Sequence, residues 1–165
     1  MGNSDMAERE YTAEGVWEKL EGFRVCFMAD VSNRRIVARP MSPLVRRNEN
    51  LIWFVTDRES GKTGDLMDDT PVTLLFQDES ANCYIVIIGA VSLVDDRDRI
   101  EELWSPVMKE WFDGPDDPRI VCISFDPREA DIWQGPHKIV AGLKLLVTAA
   151  TGKKTDIGSH SKVQM

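Results

Sequence analysis

Most apolar residues of this chain fall in short runs rich in β-branched and aromatic side chains, a pattern that predicts strands. Residues 51–55, Leu-Ile-Trp-Phe-Val, form one such run, and 72–77 form another. Residues 23–29 and 35–39 flank turn-forming residues 30–33 and predict a hairpin. Residues 83–94 form a longer extended run interrupted by Gly89. A glycine there marks a bulge or a barrel corner. Residues 119–125 and 129–133 predict two further strands. Other stretches follow helical spacing. In residues 11–20, Val16, Trp17 and Leu20 share a face, Thr12 is a suitable N-cap, and Gly22 ends the helix. Asp95-Asp96 caps a helix through Ile100, Leu103 and Trp104, and a short helical piece follows over 106–112. Ile139, Leu143, Leu146 and Ala150 recur at helical spacing, with Gly152 as the C-cap. About six strands with short helices between them predict an α+β, barrel-like domain rather than an alternating βαβ fold.

The run at 51–55 leads into candidate chemistry. It breaks into a polar turn over 56–60 and restarts as a predicted helix over 61–67, which Asp68-Asp69-Thr70-Pro71 stops. A strand that turns into a helix start gathers free backbone N–H groups at the positive end of the helix dipole, a site suited to an anion. Lys62 adds a charge in the first turn, and Thr56 and Ser60 add hydroxyl donors. A second segment, Arg39-Pro40-Met41-Ser42-Pro43, carries two prolines and so predicts an edge or a bulge where backbone faces a ligand.

Composition narrows the field. The 165 residues suit one domain, expected over 11–150, with a polar segment over 1–10 and a polar tail over 151–165. The net charge of −8 argues against nucleic acid as a partner but not against a small phosphorylated ligand, which needs one or two cations. Cys26, Cys83 and Cys122 are far apart, each within an apolar run, and are expected to be buried reduced thiols. The first ten residues lack an apolar signal core, and Met6 breaks the myristoylation pattern that Met1-Gly2 starts. The apolar stretch 139–150 contains Lys144 and is too short to span a bilayer, so no membrane partner and a cytoplasmic location are expected.

Other chemistries fit less well. Gly61-Lys62-Thr63 resembles the end of a phosphate-binding NTPase loop, but the glycine required five residues earlier is Thr56. Asp95, Asp96 and Asp98 miss the calcium-loop pattern, since counting from Asp96 places Glu101 and Val107 where glycine and glutamate are needed. Helix capping explains these carboxylates better. No metal site is expected. Trp104, Trp111 and Phe112 read as core or interface in preference to ring-stacking residues. His137 and His160 are isolated, and no catalytic grouping assembles around them.

The order of motifs resembles one family. Arg39-Pro40-Met41, the strand ending in Val55-Thr56, and Ser60-Gly61-Lys62 come first. Asp95-Asp96-Arg97, Glu102-Leu103-Trp104, Trp111-Phe112 and Asp116-Asp117-Pro118 follow, then Asp131-Ile132-Trp133 and the pattern over 156–163. From about Val16 onward the chain is similar to the general stress protein branch of the pyridoxamine 5′-phosphate oxidase-like, FMN-binding split-barrel family. The resemblance implies a six-stranded antiparallel split β-barrel with flanking helices, paired as a homodimer with flavin at the interface. It implies phosphate contacts at Arg39, Ser60 and Lys62, with Arg35 and Arg46 as competitors for the Arg39 role, a cofactor-binding position at Gly61, and ring or ribityl contacts at Pro40, Met41, Phe54, Val55 and Thr56. The implied cofactor is FMN, with FAD as the alternative, and the implied function is that of a stress-related flavin protein, an oxidoreductase acting on a small molecule. A non-catalytic flavin sensor or buffer, and a module for a deazaflavin or haem, are the other readings. Two departures weigh against vitamin oxidation. The phosphate turn has one cation fewer than the oxidases' Ser-Arg-Lys, and no arginine follows Arg128 to form their C-terminal Arg-x-His motif.

Overall fold

The structure is a computed structural model, and it describes residues 12–32, 34–60, 69–135 and 159–165. Eight strands make one antiparallel sheet among these residues: β1 (Cys26–Ser32), β2 (Arg35–Met41), β3 (Leu44–Arg46), β4 (Leu51–Asp57), β5 (Thr70–Asp78), β6 (Cys83–Val94), β7 (Ile120–Gln134) and β8 (Ser159–Gln164). Along the sheet they run β2-β1-β5-β6-β7-β4-β3, with β8 also paired to β7. Helix α1 spans Ala13–Leu20 and α2 spans Arg97–Leu103.

The two end strands of that path, β2 and β3, are consecutive in the chain, with only Ser42 and Pro43 between them. The sheet therefore curls until its two margins lie side by side, which makes a barrel with a split. Inside it, Ile52 and Phe54 of β4 meet Leu74 of β5, Ile85 of β6 and Phe125 of β7 in the main core. Helix α1 contributes Val16, Trp17 and Leu20, the face expected from their spacing, and Thr12 caps it by accepting the Gly15 N–H at 3.1 Å. A second core lies on the opposite face of β4 and β7, where Trp53, Ile120 and Cys122 pack under Ile100 and Leu103 of α2, with Phe112. Strand β4 is thus buried on both faces, which is why residues 51–55 read as an unbroken apolar run.

Several boundaries differ from the sequence reading. Strand β1 continues through Asp30 to Ser32, so the hairpin turn is tighter, and Arg34 in it has φ 61°. The two strands expected over 119–125 and 129–133 are one, because β7 runs unbroken through Pro127. Residues 159–164, expected in a polar tail, form β8 against β7, and Val163 enters the core. That strand alternates polar and apolar positions too weakly to stand out by pattern. The helices expected over 61–67 and 139–150 lie outside the described residues.

The bulge expected at Gly89 is present: the β6–β7 register shifts between Ile88 and Gly89. A Cβ at Gly89 would sit 2.2 Å from the Asp126 carbonyl oxygen and 2.6 Å from the Phe125 ring. Backbone cannot yield there without opening the β6–β7 ladder. Gly89→Ala is expected to destabilise the fold by about 1–3 kcal/mol, measured as a shift of the denaturant midpoint. An unchanged midpoint would remove the close approach as the reason for the glycine.

Candidate functional site

A groove of about 520 Å³ opens at the split. Pro40 and Met41 at the end of β2, with Ser42 and Leu44 beyond, form one side. Val55, Thr56 and Asp57 at the end of β4 and Ser60 in the following turn form the floor. The remaining wall is the segment 105–112, where Ser105, Val107, Met108, Trp111 and Phe112 face the space. The lining thus mixes hydroxyls with apolar and aromatic surface, and its one charged member among the described residues is Asp57.

Asp57 organises the turn. Its Oδ1 accepts the Glu59 N–H at 2.7 Å, and its carbonyl accepts the Ser60 N–H at 3.2 Å and the Ser60 hydroxyl at 2.7 Å. The Arg58 N–H donates to the Arg119 carbonyl at 2.9 Å, which ties the turn to the start of β7. The facing wall is a 3₁₀ turn, Pro106–Glu110. The Met108 carbonyl accepts the N–H groups of both Trp111 and Phe112 at 3.0 Å. Phe112 turns into the second core, whereas Trp111 is 65% exposed.

A charged cluster lies against this floor. The Asp117 carboxylate is buried and accepts Arg119 Nη2 at 2.7 Å and Nε at 3.2 Å, together with the N–H groups of Arg119 at 2.9 Å and Asp113 at 3.2 Å. The Arg119 side chain and these backbone donors hold its pKa down from 3.8 to about 2. Arg119 also stands 3.6 Å from Asp57 Oδ2 and donates to the Trp111 carbonyl at 3.5 Å. Asp95 is likewise held low by Arg97 and Arg58, both at 2.8 Å. Asp96 caps α2 through the Asp98 and Arg99 N–H groups, as the capping pattern predicts.

Of the residues expected at the site, the structure brings Pro40, Met41, Val55, Thr56 and Ser60 together in the groove. Phe54 lies in the barrel core, fully buried, because it sits on the inward face of β4. Arg39 pairs with the buried Asp30, whose Oδ1 finds no partner among the described residues. Gly61 and Lys62 lie outside the described residues. Of the competing arginines, Arg35 is exposed on β2 and Arg46 donates to the Val45 carbonyl at 3.3 Å. Residues 105–112 were not placed at the site by sequence reading, since Trp111 and Phe112 read as core or interface. Their apolar spacing carries no sign of which face meets a ligand. Cys26, Cys83 and Cys122 are buried, as expected, and burial pushes the Cys26 thiol up to about 12. No helix among the described residues is long and apolar enough to cross a membrane.

The profile of the family described as "Pyridoxamine 5'-phosphate oxidase like" matches residues 11–156. The chain belongs to this family. Proteins similar to it include protein bli-3 of Neurospora crassa, 34% identical over 81 residues, a match spanning 44% of this chain and 39% of that protein. The chain thus spans about two-fifths of the Neurospora protein's length. General stress protein 26 of Bacillus subtilis is 23% identical over 97 residues, covering 57% of this chain and 69% of that one. Among solved structures, a putative general stress protein 26 from Jannaschia superposes with a TM-score of 0.73 at 23% identity, over 97% of this chain and 99% of its own. A general stress FMN/FAD-binding protein from Xanthomonas citri does so with 0.66 at 23% identity, over 73% and 86%. The family's general stress protein branch is therefore the one this chain joins, and its α+β split barrel is the family fold.

The lowered Asp117 pKa has a stability consequence. A carboxylate whose folded pKa lies below its unfolded value contributes stability that is full above the unfolded value and is lost as pH falls through the folded one. The contribution of Asp117 is expected to fade between about pH 4 and pH 2. Asp117→Asn should unfold more easily than the parent at pH 7, by a margin that shrinks across that window. Denaturant midpoints taken from pH 7 down to 2 check this, and a margin constant with pH would contradict it.

Proposed function

We propose that the groove holds a flavin nucleotide, FMN in preference to FAD, and that the protein is a stress-related flavin protein. The observation that carries this reading is the convergence of Pro40, Met41, Val55, Thr56 and Ser60 on one groove, since they come from the ends of two separate strands and the turn after the second. The groove volume of about 520 Å³ falls within the roughly 300–1,000 Å³ of ordinary ligand sites. Its lining suits an amphiphilic ligand. Hydroxyls of Ser42, Thr56 and Ser60 match a ribityl phosphate, and the side chains of Leu44, Met108 and Trp111 match a planar ring. The family resemblance adds Lys62 to the phosphate side.

A bound flavin would supply hydride chemistry, which makes an oxidoreductase acting on a small molecule the first form of the proposal. The chain's own contribution is to bind and orient the ring and to hold the phosphate. Asp57 is the only carboxylate, and no histidine or cysteine joins it, in the described lining. That composition favours a second form, a flavin sensor or buffer without turnover. Three buried thiols suit a reducing, cytoplasmic setting.

We also propose a homodimer. The register places Phe27, Leu75 and Val86 in one row across the outer face of β1, β5 and β6, with Ala29, Thr73 and Ile88 in the next. Phe27 is 51% and Ile88 46% exposed. A continuous apolar face of this kind on a sheet calls for a cover, and a second copy of the same chain is the occupant implied by the resemblance.

Three measurements test these readings. Titration of the native protein with FMN, followed by flavin fluorescence and absorbance, should show binding at micromolar ligand, weakened about tenfold or more in Lys62→Ala. Absence of binding would sink the flavin reading. Steady NAD(P)H consumption by the loaded protein would separate enzyme from sensor. Light scattering should give twice the mass of one chain for the parent and a monomer for Ile88→Lys. A parent that is monomeric at high concentration would end the dimer proposal.

A further inference from the structure

The polar end of the groove is short of donors. In the turn over 57–60 each backbone donor after Asp57, and the Ser60 hydroxyl, is already bonded within the protein. The Arg58 N–H goes to the Arg119 carbonyl at 2.9 Å and the Glu59 N–H to Asp57 Oδ1 at 2.7 Å. The Ser60 N–H and hydroxyl go to the Asp57 carbonyl at 3.2 and 2.7 Å. No cationic side chain lines the groove among the described residues. What this end offers is acceptors, and Asp57 supplies most of them. Side chains alternate along β4, so Asp57 lies on the same face as Val55, which also lines the groove. Its side chain is 29% exposed. A carboxylate has about four acceptor positions, and the Glu59 N–H occupies one of them, on Oδ1. Arg119 Nη1 stands 3.6 Å from Oδ2, a charge contact longer than a hydrogen bond. Oδ2 thus keeps its lone pairs while the guanidinium offsets part of the charge. Ser60 Oγ, its one proton given to the Asp57 carbonyl, can meet a ligand only as an acceptor.

An acceptor-rich end selects a ligand segment that carries several donors and no negative charge. A chain of hydroxyl groups meets that description, and a phosphate does not. We propose that Asp57 is a specificity-determining residue whose Oδ2 accepts hydroxyl donors from a polyol chain, so that the ribityl segment of a flavin lies against Asp57 and Ser60. This inference rests on the flavin reading above and adds to it a requirement for hydroxyls on the chain that leaves the ring. A hydroxyl donating to a carboxylate makes a charge-assisted bond, stronger than a neutral one. A chain without hydroxyls would cover the carboxylate and leave it unpaired, which is the costly outcome. Discrimination therefore comes from both sides: a bond gained with the polyol and an acceptor stranded by its absence.

The test compares riboflavin with a flavin that bears a plain pentyl chain on N10, which has the same ring and the same number of chain carbons but no hydroxyls. Neither carries a phosphate, so the phosphate side of the site does not enter. Affinities are measured by quenching of flavin fluorescence at fixed ionic strength. The parent should bind riboflavin more tightly than the pentyl flavin. Asp57→Asn keeps an oxygen for the Glu59 N–H and removes the charge. It is expected to weaken riboflavin by about tenfold and to leave the pentyl flavin within twofold, a coupling between residue and ligand hydroxyls. Equal losses for both ligands would reduce Asp57 to holding the turn. An unchanged riboflavin affinity in Asp57→Asn, or a parent that prefers the pentyl flavin, would overturn the proposal. The comparison of the two ligands on the parent needs no variant and remains decisive if Asp57→Asn folds poorly. If the parent binds neither ligand nor FMN, the flavin reading itself falls and takes this inference with it, a result distinct from the others.

Discussion

The fifteen residues of β7 must find partners along both edges, and the rest of the barrel is arranged around that requirement. Strand β6 follows one edge over its whole length, bending past Gly89 to do so. The other edge is shared: β4 takes Ile120 to Phe125, and β8 takes Glu129 to Gln134. Because β4 is placed beside the first half of β7, both strands separate two cores. The sheet then has to end at β3, next to the strand that preceded it in the chain. The split, and the groove in it, follow from this closure without any residue being dedicated to making a cavity.

Charge is distributed to serve geometry more than stability. Arg99 lies over the Trp53 ring at 4.7 Å and bonds Glu49 at 2.9 Å, while Trp53 Nε1 donates to the same carboxylate at 2.9 Å. That cluster ties α2 to the entry of β4. Arg58 and Arg97 tie the exit of β4 and the start of β7 to Asp95 ahead of α2. Each pair is partly exposed, so each is worth a fraction of a kcal/mol, about 0–1. Their common effect is to fix where the turn over 57–60 sits relative to the wall over 105–112.

What could be read from the sequence was set by local signals. Strand β4, the Gly89 bulge, the Thr12 and Asp96 caps, and the apolar face of α1 each depend on neighbours within a few positions. Pro40, Met41, Val55, Thr56 and Ser60 converge on the groove because the motifs that flagged them mark the two margins of the split. Phe54 could not be sorted by the same means. In a run buried on both sides, nothing in the residue types says which face meets the core and which the ligand. Strand β8 and the wall over 105–112 were hidden for a different reason. Their roles come from long-range pairing and from the second core, neither of which leaves a periodic trace.

The wall over 105–112 differs from the floor in how firmly it is anchored. Phe112 is its one deeply buried side chain in the second core, whereas Val107 and Trp111 are 60% and 65% exposed. Replacing an exposed side chain costs little folding free energy, while β4 is clamped between two cores. Evolution can therefore alter the shape and chemistry of one side of the groove with almost no penalty to the barrel. Change in the groove should accumulate in this segment first, with the strand opposite held in place by both cores.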